Sequence, residues 1–84
     1  MDEQMADIVG LVKTIVEPLI EFPDDLEIVS SESSDGSILV EISLNEEDVG
    51  KVIGRQGRVI KAIRTLARAV TSQTNTHVEV ELID

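Results

Sequence analysis

KVIGRQGRVIKAIRTLAR, residues 51–68, holds six of the chain's seven basic residues and no acidic one, while all seventeen Asp and Glu lie outside it. Shuffling signs among the charged positions would produce such a run about once in a thousand arrangements, so a merely solvated helix face accounts for it poorly. Its interior is a helix–loop–helix pattern. Gly54 sits where a left-handed residue at a helix C-terminus is wanted, and Gly57 gives the chain freedom to turn into a second helix beginning near Arg58. At 100° per residue, Val59, Ile60, Ile63, Leu66, Ala67 and Val70 share one arc of that helix, and Arg58, Lys61, Arg64 and Arg68 share another.

Working outward, Asn45 is placed to cap the first of these helices, with Glu46, Glu47 and Asp48 in its first turn at the positive end of the helix dipole. Before it, Leu26 to Ser30 and Ile38 to Leu44 alternate with period two and are rich in β-branched residues, which predicts two strands. Asp35-Gly36 between them is a hairpin signal, though the serines from Ser30 to Ser37 suggest a longer, mobile connection. The strands should pair antiparallel. Met5, Ile8, Val9, Val12, Ile15, Val16 and Leu19 mark an amphipathic helix from Glu3 to about Ile20, kinked or ended by Pro18. Phe22-Pro23 then reads as a break. After the basic helix, the polar run Thr71 to Thr76 is a terminator, and Val78, Val80 and Leu82 alternate with Glu79 and Glu81 in a last strand.

The order is α-β-β-α-α-β. A right-handed two-helix crossover brings the last strand beside the hairpin. The expected fold is α+β: a three-stranded mixed sheet covered on one face by three helices, with Glu27, Glu41, Ser43, Glu79 and Glu81 on the face turned to water. Residues 1–84 make one domain; a chain this size buries roughly 60 to 65% of its unfolded surface, which leaves a thin stability margin.

The absence of Cys removes disulfide scaffolds and thiolate zinc sites and fits a reducing cytoplasm. Met1, Asp2 and Glu3 are unlike a positive signal-peptide n-region, and Lys13 and Glu17 interrupt the first apolar segment, so neither a signal peptide nor a membrane span is expected. The single His and the lack of a nucleophile–base pattern or nucleotide-binding glycine motif argue against an enzyme, and no cofactor, metal or small-molecule substrate is implied. The net charge is −10. Outside the basic run the balance is seventeen acids against Lys13 alone, which confines a polyanion to the positive strip.

A Gly-x-x-Gly pattern alone would arise by chance about 0.4 times in a chain this long. Joining two helices, preceded by Val52-Ile53, followed by Arg58, Ile60, Lys61 and Ile63, and set within this element order, it resembles a bacterial type II KH domain over nearly the whole chain. The resemblance implies single-stranded RNA held in a groove formed by the two helices, the loop Gly54-Arg55-Gln56-Gly57, the segment Thr71 to Thr76 and the strand from His77 to Val80. It also implies an RNA-chaperone role in post-transcriptional control, linked to cell-envelope homeostasis and cell length, and a larger KH-containing protein as partner.

The residues themselves agree on mechanism, because two glycines let phosphates approach the main chain and the next helix offers N–H groups and a positive dipole end. The candidate RNA-binding residues are Lys51, Val52, Ile53, Gly54, Arg55, Gln56, Gly57, Arg58, Ile60 and Lys61. Arg55 and Arg58 would make charge-assisted phosphate contacts, Gln56 a neutral one, and Lys51 and Lys61 a surrounding field. Val52, Ile53 and Ile60 would floor the base site or pack in the core. Phe22, the one aromatic, lies far from the loop in sequence, which disfavours folds that read RNA by aromatic stacking. The rival reading is a KH-like protein-interaction module that dimerises or docks on another protein with little intrinsic RNA binding; separately, a thin core rich in Val and Ile favours a homodimer through an apolar helix or strand edge.

Overall fold

The computed structural model describes residues 3–83; the ends of the expected domain, residues 1–2 and 84, lie outside them. Helix α1 (Glu3–Val16) is followed by strands β1 (Glu27–Glu32) and β2 (Ile38–Ser43), helices α2 (Val49–Ile53) and α3 (Arg58–Val70), and strand β3 (Val78–Ile83). The sheet order is β1-β2-β3. β1 and β2 are antiparallel with Glu27 opposite Ser43, whereas β2 and β3 are parallel with Ile38 opposite Val78. This is the mixed α+β sheet that the order of periodicities predicts.

One core joins the helices to one face of the sheet. Met5, Ile8, Val12 and Val16 of α1 meet Ile38, Val40 and Ile42 of β2, Val78 and Val80 of β3, Val52 of α2 and Ile60, Ile63 and Ala67 of α3. Glu27, Glu79 and Glu81 are exposed on the sheet's other face. The three- and four-residue spacing in α1 and the alternation in β2 and β3 are thus each matched by burial.

Several boundaries differ from expectation. α1 stops at Val16 rather than near Ile20, because Pro18 has no N–H to continue the ladder and its ring crowds the preceding turn; Glu17–Leu19 tighten into a 3₁₀ turn. The hairpin connection is short, with β1 running to Glu32 and the turn closed by Ser33 N donating to Ser37 O at 2.9 Å. Asp35 organises it, accepting from Ser33 Oγ, from Ser37 Oγ at 2.7 Å and from Ser37 N at 3.0 Å, bonds that hold its carboxyl far below the ordinary carboxylate range. Leu66 and Val70 lie on the outer flank of the apolar arc of α3 and are 46% and 37% exposed.

Asp48 departs furthest from the sequence reading. Asn45 does cap its turn, accepting from Glu47 N at 2.9 Å, but Asp48 is no surface carboxylate on a helix dipole. It is fully buried and accepts the main-chain N–H groups of Glu21 and Phe22, both at 2.9 Å. The carboxylate therefore ties the chain leaving α1 to the start of α2.

Candidate nucleic-acid interface

α2 is only five residues long because Gly54 ends it, with φ 77° and ψ 171°, positive in φ as expected but extended in ψ rather than left-handed helical. The left-handed conformation falls instead on Gln56 (φ 58°, ψ 24°) and Gly57 (φ 75°, ψ 16°). Main-chain hydrogen bonds pin the loop: Gly54 N to Gly50 O at 3.0 Å, Gly57 N to Gly54 O at 3.1 Å, and Arg58 N to Arg55 O. A Cβ on Gly54 would stand 2.9 Å from Val59 N, so main chain packs on main chain there and only glycine fits. A Cβ on Gly57 would meet nothing nearer than Lys61 Cε at 3.9 Å, so Lys61 arches back beside the loop.

This geometry presents Arg55, Gln56 and Arg58 to solvent at the N-terminus of a 13-residue helix, where the helix dipole favours an anion, while the N–H groups of Gly57 and Arg58 are taken by the loop's own carbonyls. Among the described residues no carboxylate lies within 4.0 Å of Arg55, Arg58 or Lys61. Their charge is free for a ligand.

The other candidates separate by burial. Val52 is fully buried and Ile60 is 7% exposed; both support the loop from the core, and the aliphatic surface a base can reach falls to Ile53, 38% exposed. Lys51 contributes little to the open field, since its Nζ lies 3.2 Å from Asp48 Oδ1 and 3.5 Å from Glu21 Oε2. Its hydrogen bond to Asp48 comes first among the influences that raise the ammonium's pKa, outweighing desolvation. Burial works to raise the Asp48 carboxyl, but the N–H groups of Glu21 and Phe22 and the Lys51 ammonium together hold it below the usual range.

Beyond the loop, α3 carries the positive strip to the edge of the sheet. Arg64 Nε donates to Val80 O at 3.2 Å, and Arg68 Nε reaches Val78 O at 3.5 Å. A cavity of about 250 Å³ opens at that end, lined by Arg68, Ser72, Asn75, Thr76 and His77 among others. Thr71 is buried beneath it and closes the 71–76 segment by donating to Thr76 O at 2.9 Å. His77 Nε2 lies 2.6 Å from Glu79 Oε1, and this bond, reinforced more weakly by Arg68 and Arg64, keeps the Glu79 carboxyl below its ordinary range. Sequence reasoning named the loop and this segment, but nothing local marked Asp48 or Thr71 as buried ties.

A three-stranded mixed sheet backed by three helices, with a glycine-bounded loop joining the last two, defines a KH domain of the type II arrangement. The sequence model described as "KhpA/KhpB, KH domain" matches residues 10–82, and the chain belongs to this family. Similar proteins include the RNA-binding protein KhpA of Listeria monocytogenes, 42% identical over 74 residues that cover 88% of this chain and 96% of the relative. The RNA-binding protein KhpA of Clostridium acetobutylicum is 44% identical over 73 residues, 87% of this chain and 96% of its own. That of Bacillus subtilis is 42% identical over 74 residues, 88% and 90% respectively. The family is not one of enzymes, and the chain is a binding module. No helix among the described residues is long and apolar enough to cross a membrane.

Proposed function

We propose that this protein binds single-stranded RNA by clamping its phosphates on the loop Gly54–Gly57. The observation that carries this reading is the pair of exposed, unneutralised arginines, Arg55 and Arg58, flanking a main chain that only glycine allows, at a helix N-terminus. KH loops of this kind hold about four nucleotides of backbone. Lys61 adds field, Gln56 a neutral donor, and Ile53 an apolar contact for a base. The relatives' printed name, RNA-binding protein, supports the ligand class.

Residues 1–84 act as a single KH domain in the cytoplasm, as an RNA-chaperone or post-transcriptional regulator subunit. Its partner is a larger KH-containing protein of the KhpB kind, a reading supported by the joint naming of the family. The link to cell-envelope homeostasis, cell shape and cell length follows from the same resemblance.

Fluorescence anisotropy of labelled single-stranded RNA pools tests the clamp. Wild type should bind with strong salt dependence, and the Arg55→Asp/Gln56→Asp variant, shown to be folded by circular dichroism, should lose at least tenfold in affinity, about what one reversed charge and one neutral contact replaced by a negative charge imply. Equal binding by both proteins, or none by either, would move the function to protein docking. One observation favours docking as a second activity: Leu66 and Val70 expose apolar surface on one flank of α3, which a homodimer would cover.

A further inference from the structure

β3 is an edge strand, and its outer edge is not bare. Ile38 N donates to His77 O at 2.8 Å, so the main-chain groups of His77 and, by alternation, Glu79 point toward β2, while those of Val78 and Val80 point to the free edge. At that edge Arg64 Nε covers Val80 O and Arg68 Nε approaches Val78 O. The Val78 and Val80 carbonyls of the edge are thus engaged, and a base laid beside them meets the arginine donors.

A guanidinium has five N–H groups in a plane; with Nε directed at a strand carbonyl, the Nη pair remains as a fork of fixed orientation. Arg64 is half-buried, which adds to that fixity, and among the described residues neither fork has a carboxylate within 4.0 Å. Such a fork fits two adjacent acceptors. Guanine offers them at O6 and N7, and cytosine at O2 and N3. Adenine sets its amino donor beside each acceptor of its reading edges, and uracil separates its two carbonyls with N3–H.

We propose that Arg64 and Arg68 are base readers anchored on β3, and that they make the groove prefer single strands rich in guanine or cytosine over those rich in adenine or uracil. This rests on the RNA-binding reading above. An anchored fork loses less freedom on binding than a solvated side chain, so the contact favours affinity as well as selectivity.

The test is anisotropy at one salt concentration with labelled octamers of A, of U, of C and of alternating U and G. For wild type, the C and UG octamers should bind about tenfold more tightly than the A and U octamers, and 7-deazaguanine in place of guanine should erase the gain of the UG octamer. Arg64→Lys keeps the charge and removes one of the two forks: the roughly tenfold preference should fall to about threefold, with Arg68 supplying the remainder. Equal wild-type affinities for all four octamers would overturn the proposal, since the forks would then hold phosphates. So would unchanged discrimination in both Arg64→Lys and Arg68→Lys. If Arg64→Lys does not fold, the 7-deazaguanine comparison on wild type and the Arg68→Lys variant decide in its place. The Arg55→Asp/Gln56→Asp variant separates the two readings, because a uniform loss across all octamers supports the loop clamp whether or not bases are discriminated.

Discussion

Lys51 Nζ sits 3.2 Å from the buried Asp48 Oδ1, so the first cation of the basic run is engaged inside the protein before any ligand arrives. With Glu21 and Phe22 donating their N–H groups to the same carboxylate, one side chain joins the exit of α1, the start of α2 and the base of the glycine loop. Three N–H groups converging on a buried carboxylate hold its charge in place of water, which is how a buried charge is tolerated.

The linkage fixes how stability should vary with pH. The folded carboxyl of Asp48 is held below its unfolded value of about 3.9, so its contribution is present above that pH and is lost as pH falls through the folded value. Asp48→Asn should lower the urea midpoint near neutrality, since an amide offers one oxygen to two main-chain donors and turns an N–H toward them or toward Lys51. The gap between wild type and variant should close as pH drops below about 4. A gap that stays constant down to pH 2 would mean that Asp48 acts through packing, not charge.

The two loop glycines should differ in what they tolerate. Gly54→Ala meets both a positive φ with extended ψ, a region essentially closed to other residues, and contact with Val59, at a cost of about 3 kcal/mol. Gly57 is left-handed with open space around it, so Gly57→Ala should cost about 1 kcal/mol. Equilibrium urea unfolding reads both, and the reverse order would refute the loop geometry described above.

What the sequence made legible follows the range of the interactions. Alternation in Ile38 to Leu44 and Val78 to Leu82, and the 3.6-residue spacing of Ile8, Val12 and Val16, are signals carried within each element, and those elements appear with the expected pairing. Gly54 and Gly57 announce the loop because their role is a backbone one. Asp48 reads as one more acid in a helix's first turn, because its partners lie 26 and 27 residues upstream and no local pattern points to them. For the same reason the sequence leaves Arg64 open between solvation and RNA contact, when its position is set by a strand carbonyl 16 residues further on.

Salt dependence should distinguish the free cations from the engaged one. With three to five phosphates contacted, log K should fall against log salt with a slope of about −2 to −3.5 for wild type. Arg55→Gln and Arg58→Gln should each make the slope shallower by about 0.7, because each removes one contact. Lys51→Gln should leave the slope near that of wild type and lower the unfolding midpoint instead, most clearly below about pH 10, since the raised ammonium gives its stability below the unfolded pKa of about 10.4 and loses it as pH rises through the folded one. A slope change for Lys51→Gln equal to that for Arg55→Gln would show that RNA draws the ammonium away from Asp48.

Self-association makes a separate demand on α3. Val59, Leu66 and Val70 lie on one flank at i, i+7 and i+11; Val59 is half-buried, and the other two are 46% and 37% exposed. That flank adjoins Ile63 on the side away from Arg64, so a second copy seated there would leave the loop arginines and the β3 edge open to RNA. Sedimentation of wild type at tens of micromolar should give a mass that rises with concentration toward a dimer. Leu66→Asp should remain monomeric with little loss of fold, because the side chain it replaces is half in water and the charge desolvates only at an interface. A monomer mass independent of concentration for wild type would exclude this flank as a self-association surface.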